Sequence, residues 1–290
     1  MNIKRLNNLF VVSIIILATI TALFGILSNQ SINEHQVVQT IFGKSVTLYG
    51  KGLYHNESIS MASQVIAQEM VTLLVVVPLL FYALVLKNGG KIKGGMLLTG
   101  TLGYTLYMYA TYCFVAVYND FFLVYVALMS LSFFGFVINM YQLFSQRNTI
   151  YFTKLPNKFI GYSTVFLGFL ILFMWLGRLV PPLIQGGVPI GLEHYTTFPI
   201  QALDLGIVVP VAMIGGFALT KKQILGYLLV PIITIKGITM LLAIDAMMIG
   251  MLNSGVSVDG VELVVFPLFT ILFCFNLYFI LKSLLENKHG

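Results

Sequence analysis

The chain reads as an all-α, polytopic membrane protein with about eight transmembrane helices, and three observations carry that reading. Of its 290 residues, 58% are hydrophobic and only 9% are charged, whereas soluble domains carry about 25% charged residues. So few charges cannot clothe a water-facing surface. The apolar residues also fall into runs of about 20, the length at which a helix crosses a hydrocarbon layer of about 30 Å. Finally, the runs do not alternate apolar with polar, which argues for helices over barrel strands.

Taken in order, the first span covers 10–28. Lys4 and Arg5 precede it, as they would a signal peptide. Its apolar run is longer than a signal core and no Ala-x-Ala site follows, so it reads as an uncleaved span. The segment 29–66 is too long for a simple connector and holds no second apolar run. Within it, 45–54 has β-like character around Gly50-Lys51-Gly52, which predicts a small hairpin over the helix ends. Residues 58–68 read as an outward extension of the next span, with Ser58 or Ser60 as its cap. Further spans are expected at 67–86, 95–117, 121–144, 158–180, 200–220, 224–251 and 262–284. The segment 181–199, with Pro181, Pro182, Gly186, Gly187 and Pro189, reads as an irregular loop.

Loop charge sets the expected orientation. Alternate connections hold Lys4 and Arg5; Lys87, Lys91 and Lys93; Arg147, Lys154 and Lys158; Lys221 and Lys222; Lys282 and Lys288, which is twelve of the 16 basic residues. The opposite connections hold Lys44 and Lys51, with Arg178 at a span end. The positive-inside rule then puts both termini in the cytoplasm and 29–66 and 181–199 outside, in a multi-pass protein of the cell membrane. The net charge of +6 has this topological origin, so the lipid bilayer is the expected partner and nucleic acid is not.

The chain reads as one integral membrane domain, 1–290, with signs of a parallel duplication into 1–150 and 151–290. Gly52-Leu53-Tyr54-His55 precedes the second span, and Gly191-Leu192-Glu193-His194 precedes the sixth. An acid followed by Val76-Val77-Pro78 in the second span is matched by an acid followed by Val208-Val209-Pro210 in the sixth. Mid-helix prolines such as Pro78, Pro210 and Pro231 kink helices, which membrane bundles tolerate.

Depth selects the candidate site residues, because an ionisable group at mid-membrane is costly and demands a partner or a wet cavity. Lys236 lies roughly 18 Å from the inner end of its span, beyond the reach of snorkelling. Glu69 and Asp204 lie roughly 25 and 24 Å from theirs, about a turn inside the outer boundary. Arg178, Asp120 and Asp245 lie nearer the outer surface and read as interfacial groups. In the third span Thr101, Tyr104, Tyr107, Thr111 and Tyr118 share one helical face, and buried phenols need hydrogen-bond partners.

Lys236, Glu69, Asp204, Tyr104 and Tyr107 are therefore the candidates either for a ligand cavity or for an ion pair that locks the bundle. Solute transport or binding through an outward-facing polar cavity is the leading functional expectation, with a small molecule as substrate. A membrane enzyme acting on a lipid or quinone, with Glu69 or Asp204 as acid or base, and a non-catalytic subunit or sensor are the alternatives. The chain has no P-loop and no GxSxG. His55 and His194, with Glu57, Glu69, Glu193 and Asp204, lack zinc-site spacing, so no metal is expected. Cys113 and Cys274 lie in apolar runs outside any CxxC pattern. No cofactor is legible.

Overall fold

The computed structural model describes residues 2–34 and 36–285; Lys288, counted above among the inner charges, lies outside them. Eight long helices follow one another: α1 Ile3–Leu27, α2 Ile59–Asn88, α3 Ile92–Phe114, α4 Phe122–Ser145, α5 Asn157–Gln185, α6 Pro199–Thr220, α7 Ile224–Asn253 and α8 Glu262–Ser283. Seven of them are long and apolar enough to cross a membrane. The protein is thus a helical membrane protein. The remaining helix, α3, does not reach that apolarity. Its Thr99, Thr101, Tyr104, Thr105, Tyr109, Thr111 and Tyr112 are all buried among neighbouring helices. Enclosure by protein on most sides lets it carry hydroxyls that a lipid-facing helix could not.

Helix α2 begins well before its apolar run. Ser58 caps it, accepting a hydrogen bond from Met61 N at 3.1 Å, which satisfies one of the free amides of the first turn. Both α2 and α6 contain a π turn immediately before a Val-Pro pair. Thr72–Val76 precedes Val77-Pro78, and Asp204–Val208 precedes Val209-Pro210. In each, the valine amide reaches back five residues, to Thr72 O and to Asp204 O. Proline clashes with the carbonyl four residues earlier, and the wider turn relieves that clash while the helix continues.

Other features recur with the same offset. Gly90 (φ 76°) and Lys222 (φ 56°) turn the chain between α2 and α3 and between α6 and α7. Lys91 N donates to Leu86 O, and Gln223 N to Ala218 O. The next helix then crosses in near contact. A Cβ on Gly94 would fall 2.3 Å from Lys87 N, and one on Gly226 would fall 2.1 Å from Leu219 N. At a different offset, Asn139 of α4 donates to Asn7 of α1 at 2.6 Å, and Asn276 of α8 to Ser163 of α5 at 2.8 Å. In the register of the π turns Asp204 aligns with Thr72 and Glu69 with Gln201. The two acids stand one turn apart, and Lys236 takes the place of Tyr104.

The helices α3 and α7 cross at the centre, where a Cβ on Gly100 would fall 2.5 Å from Ile235 Cβ. Around that crossing the packing is uneven. Helix α2 lies directly on α7, with Gly250 so close that a Cβ there would fall 2.8 Å from Ser63 O. Helix α6, its counterpart, stands off α3 and leaves a gap.

The outer segment differs from the expected hairpin. Its strands are β1 Val37–Gln39 and β2 Ser45–Thr47, antiparallel, with Val37 opposite Thr47, so the turn falls around Thr40–Lys44. Gly50-Lys51-Gly52 instead leads into a 3-10 turn at Gly52–Tyr54. Gly50 and Gly52 have φ of 78° and 55°, and side chains there would strike Glu34 and Ser28. Lys51 pairs instead with Ser31, in an isolated antiparallel bridge, while Gly52 packs on Ser28 at the end of α1. Helix α5 also runs through Pro181 and Pro182 to Gln185, further than expected, before Gly186 ends it at φ 73°.

A candidate ligand cavity

The gap between α3 and α6 is a cavity of about 780 Å³. It runs from an outer rim at Arg178, Ile190, Asp259 and Glu262 to a floor near Thr164, Ala212 and Phe273. The wall is largely apolar and aromatic, with polar side chains interspersed, charged ones both at the rim and, as Asp204 and Lys236, further in.

Three elements bring the central polar group together. The π turn of α6 presents Asp204, α3 presents Tyr107, and α5 presents Trp175. Tyr107 donates to Asp204 Oδ1 at 2.9 Å, and Trp175 Nε1 donates to Oδ2 at 2.9 Å. Both carboxylate oxygens are thereby held by neutral donors. From α7, the Lys236 ammonium lies over the Tyr107 ring, 4.1 Å from its centroid. That is a cation–π contact, stronger where water is scarce. Among the described residues no carboxylate lies within 4.0 Å of Lys236, and the acid whose charge reaches it is Asp204. The expected direct Lys–carboxylate lock is therefore not formed. Asp204 is reached through Tyr107, which bonds it with its hydroxyl and holds the cation on its ring.

Of the five candidates, Lys236, Asp204 and Tyr107 line this cavity. Glu69 and Tyr104 stand behind its wall, fully buried. Glu69 accepts from Tyr54 at 3.0 Å, and Gln68 Nε2 donates to Tyr104 at 3.4 Å. The shared face expected on α3 splits accordingly. Tyr107 points to the cavity, Tyr104 into the packed side, and Tyr118 lies beyond the helix end, 75% exposed. Asp204 accepts from two donors, and Glu69 is not part of the cavity lining. Trp175 is not among the candidates, since it carries no ionisable group and sits in no motif.

Of the three groups read as interfacial, Arg178 and Asp120 are exposed and Asp245 is partly buried. Arg178 donates from Nε to Ile190 O at 2.9 Å and stacks on Trp175, 5.9 Å from the ring centroid. Asp245 accepts from Thr270 at 2.7 Å. A roof over the cavity joins the two outer segments. Ser58 donates to Glu193, and Tyr195 donates to Glu57. Val117 N donates to the other Glu57 oxygen at 2.8 Å, and His194 Nε2 lies 3.1 Å from Asn56 O. Burial pushes the Glu57 carboxyl up from 4.5 to about 7, a rise that the Tyr195 and Val117 hydrogen bonds oppose and the nearby Glu193 charge reinforces. Among the described residues, no group of three or more histidine, cysteine or acidic side chains could hold a metal ion.

No family model, curated protein or solved structure matches this chain.

Proposed function

We propose that the protein binds an amphipathic organic anion in this cavity and moves it across the membrane. The observation that carries the reading is the unfilled hydrogen-bonding capacity of Lys236 deep in the cavity. Both oxygens of Asp204 are taken up by Tyr107 and Trp175, while the ammonium of Lys236 rests on the Tyr107 ring face and feels the Asp204 charge only from a distance. A buried ammonium with no direct acceptor is costly, and an anionic headgroup would supply one. The surrounding apolar wall, which includes Met240, Met247, Phe266 and Phe269, suits a hydrocarbon or aromatic body. Methionines let such a wall adapt its shape.

The placement in the cell belongs to the same proposal. All eight long helices cross the cell membrane, both termini are cytoplasmic, and the cavity faces out beneath the Glu57–Tyr195 roof. The charge distribution of the loops supports this. The two halves are a parallel duplication, supported by the paired π turns, the paired glycine crossings and the paired asparagine bridges.

Lys236→Met tests the reading, since it keeps the side chain's length and removes its charge. The variant should accumulate like the wild type, behave in cells like the deletion, and lose an acidic amphiphile that copurifies with the wild type. Identical lipid and small-molecule extracts from the two proteins, with normal growth of the variant, would overturn it.

A further inference from the structure

Behind the cavity wall lies a second polar centre that the ligand reading does not use. Glu69 is fully buried. Its Oε1 accepts from Tyr54, and its Oε2 has no hydrogen-bond partner. The groups that face it come from four elements. Tyr54 comes from the outer 3-10 turn, Tyr104, Tyr109 and Tyr112 from α3, and Tyr125 from α4. Gly25 of α1 packs so closely that a Cβ there would fall 3.2 Å from Glu69 Cγ. No lysine, arginine or histidine takes part in these surroundings.

The lack of a counter-charge then decides the chemistry. The hydroxyls of Tyr112 and Tyr125 are buried and lack partners; they could donate to a carboxylate, but phenols are neutral and supply no opposite charge. With no cation among the groups that face it, ionisation would leave a bare charge in a dry site. A neutral carboxylic acid avoids that charge, and its one O–H can be given to the Tyr112 hydroxyl beside it, since a phenol also accepts.

We propose that Glu69 is a proton-binding site, separate from the Lys236 cavity and divided from it only by Tyr112 and Gln68. Both of those side chains line the cavity, and the π turn that starts at Thr72 lies less than one turn further along the same helix. Such turns are frequent at functional sites. When the partition opens, the Oε2–H bond breaks, water in the cavity takes the proton, and a carboxylate remains. Reprotonation from the same water restores the resting state.

Infrared difference spectra of the full chain in phosphatidylcholine vesicles, titrated in H2O and in D2O, test this. The expected result is the C=O stretch of a neutral carboxylic acid at neutral pH. It should shift in D2O, fade as the pH is raised, and be missing from Glu69→Gln. Tyr112→Phe should keep the band at a changed frequency. Lys236→Met should leave it in place, so this inference and the ligand reading fail independently. Spectra of Glu69→Gln that match the wild type throughout would overturn the proposal, as would a Glu69 band that never exchanges in D2O. Should Glu69→Gln not accumulate, carboxyl-labelled glutamate in the wild type and in Tyr112→Phe decides the matter, because a band indifferent to Tyr112→Phe also overturns it.

Discussion

At the scale of single residues, the cavity's polar centre is a chain of three contacts: Trp175 to Asp204, Asp204 to Tyr107, and the Tyr107 ring to Lys236. Removing the middle hydroxyl leaves a half-buried carboxylate one donor short. Hydrogen bonds to charged groups contribute about 1.5–3 kcal/mol, so Tyr107→Phe should lower stability by about that much in thermal unfolding in detergent. Trp175 is the only tryptophan in the chain, which makes the protein its own probe. Asp204→Asn should shift the emission of Trp175 while the far-ultraviolet circular dichroism stays unchanged. Depth along a helix was enough to single out Lys236, Asp204 and Tyr107, because a charge or phenol far from water must meet something. It could not tell that Glu69 and Tyr104 lie behind the wall. Periodicity assigns residues to faces of a helix, but only packing decides which neighbour a face meets.

At the scale of elements, glycines set the spacing of the bundle. Gly100 lets α3 touch α7, whereas a Cβ on Gly103, one turn along, would meet nothing nearer than Phe136 at 3.4 Å. Gly100→Ala should therefore cost about 1–3 kcal/mol through overpacking, and Gly103→Ala should be close to neutral in the same thermal assay. The roof offers a prediction about pH. Glu57 in the folded protein keeps its proton up to about 7, against 4.5 for the ordinary group. Across that window the folded state binds more protons than the unfolded one. The roof should thus lose stability as pH rises from about 4.5 to about 7 and stay level above it, by an amount on the order of 3 kcal/mol. Amide exchange at residues 191–195, corrected for its intrinsic pH dependence, should rise through this window in the wild type and remain flat in Glu57→Gln. Helix positions were legible from apolar run length. The hairpin register and the length of α5 were not, since Gly50 and Gly52 pack on Glu34 and Ser28 rather than forming the hairpin turn, and helix α5 runs through its two prolines.

At the scale of the whole molecule, the charge pattern and the packing make separate claims. The charge pattern predicts sidedness. In intact cells a membrane-impermeant maleimide should label Lys44→Cys but reach Lys91→Cys only after permeabilisation, in a background with Cys113 and Cys274 replaced. Labelling of both from outside would reverse the orientation or remove a span. The proposed duplication is legible in the chain only as the repeated Val-Val-Pro and Gly-Leu-x-His strings, with an acid before each Val-Val-Pro. The π turns set Asp204 opposite Thr72, one turn from the Glu69–Asp204 pairing, so on that register the side chains at corresponding places differ. Tyr104 fills, in the first half, the place that Lys236 occupies beside open space in the second.

That divergence has a bearing on stoichiometry. A bundle made of two like halves would ordinarily carry two pockets related by its pseudo-axis, and hence two occupants per chain. Among the described residues, the corresponding place is filled by Tyr104 and closed by the α2–α7 contact. On the proposed reading each chain then has a single seat, and any cooperativity in loading it would come from other chains or from the proposed proton site at Glu69.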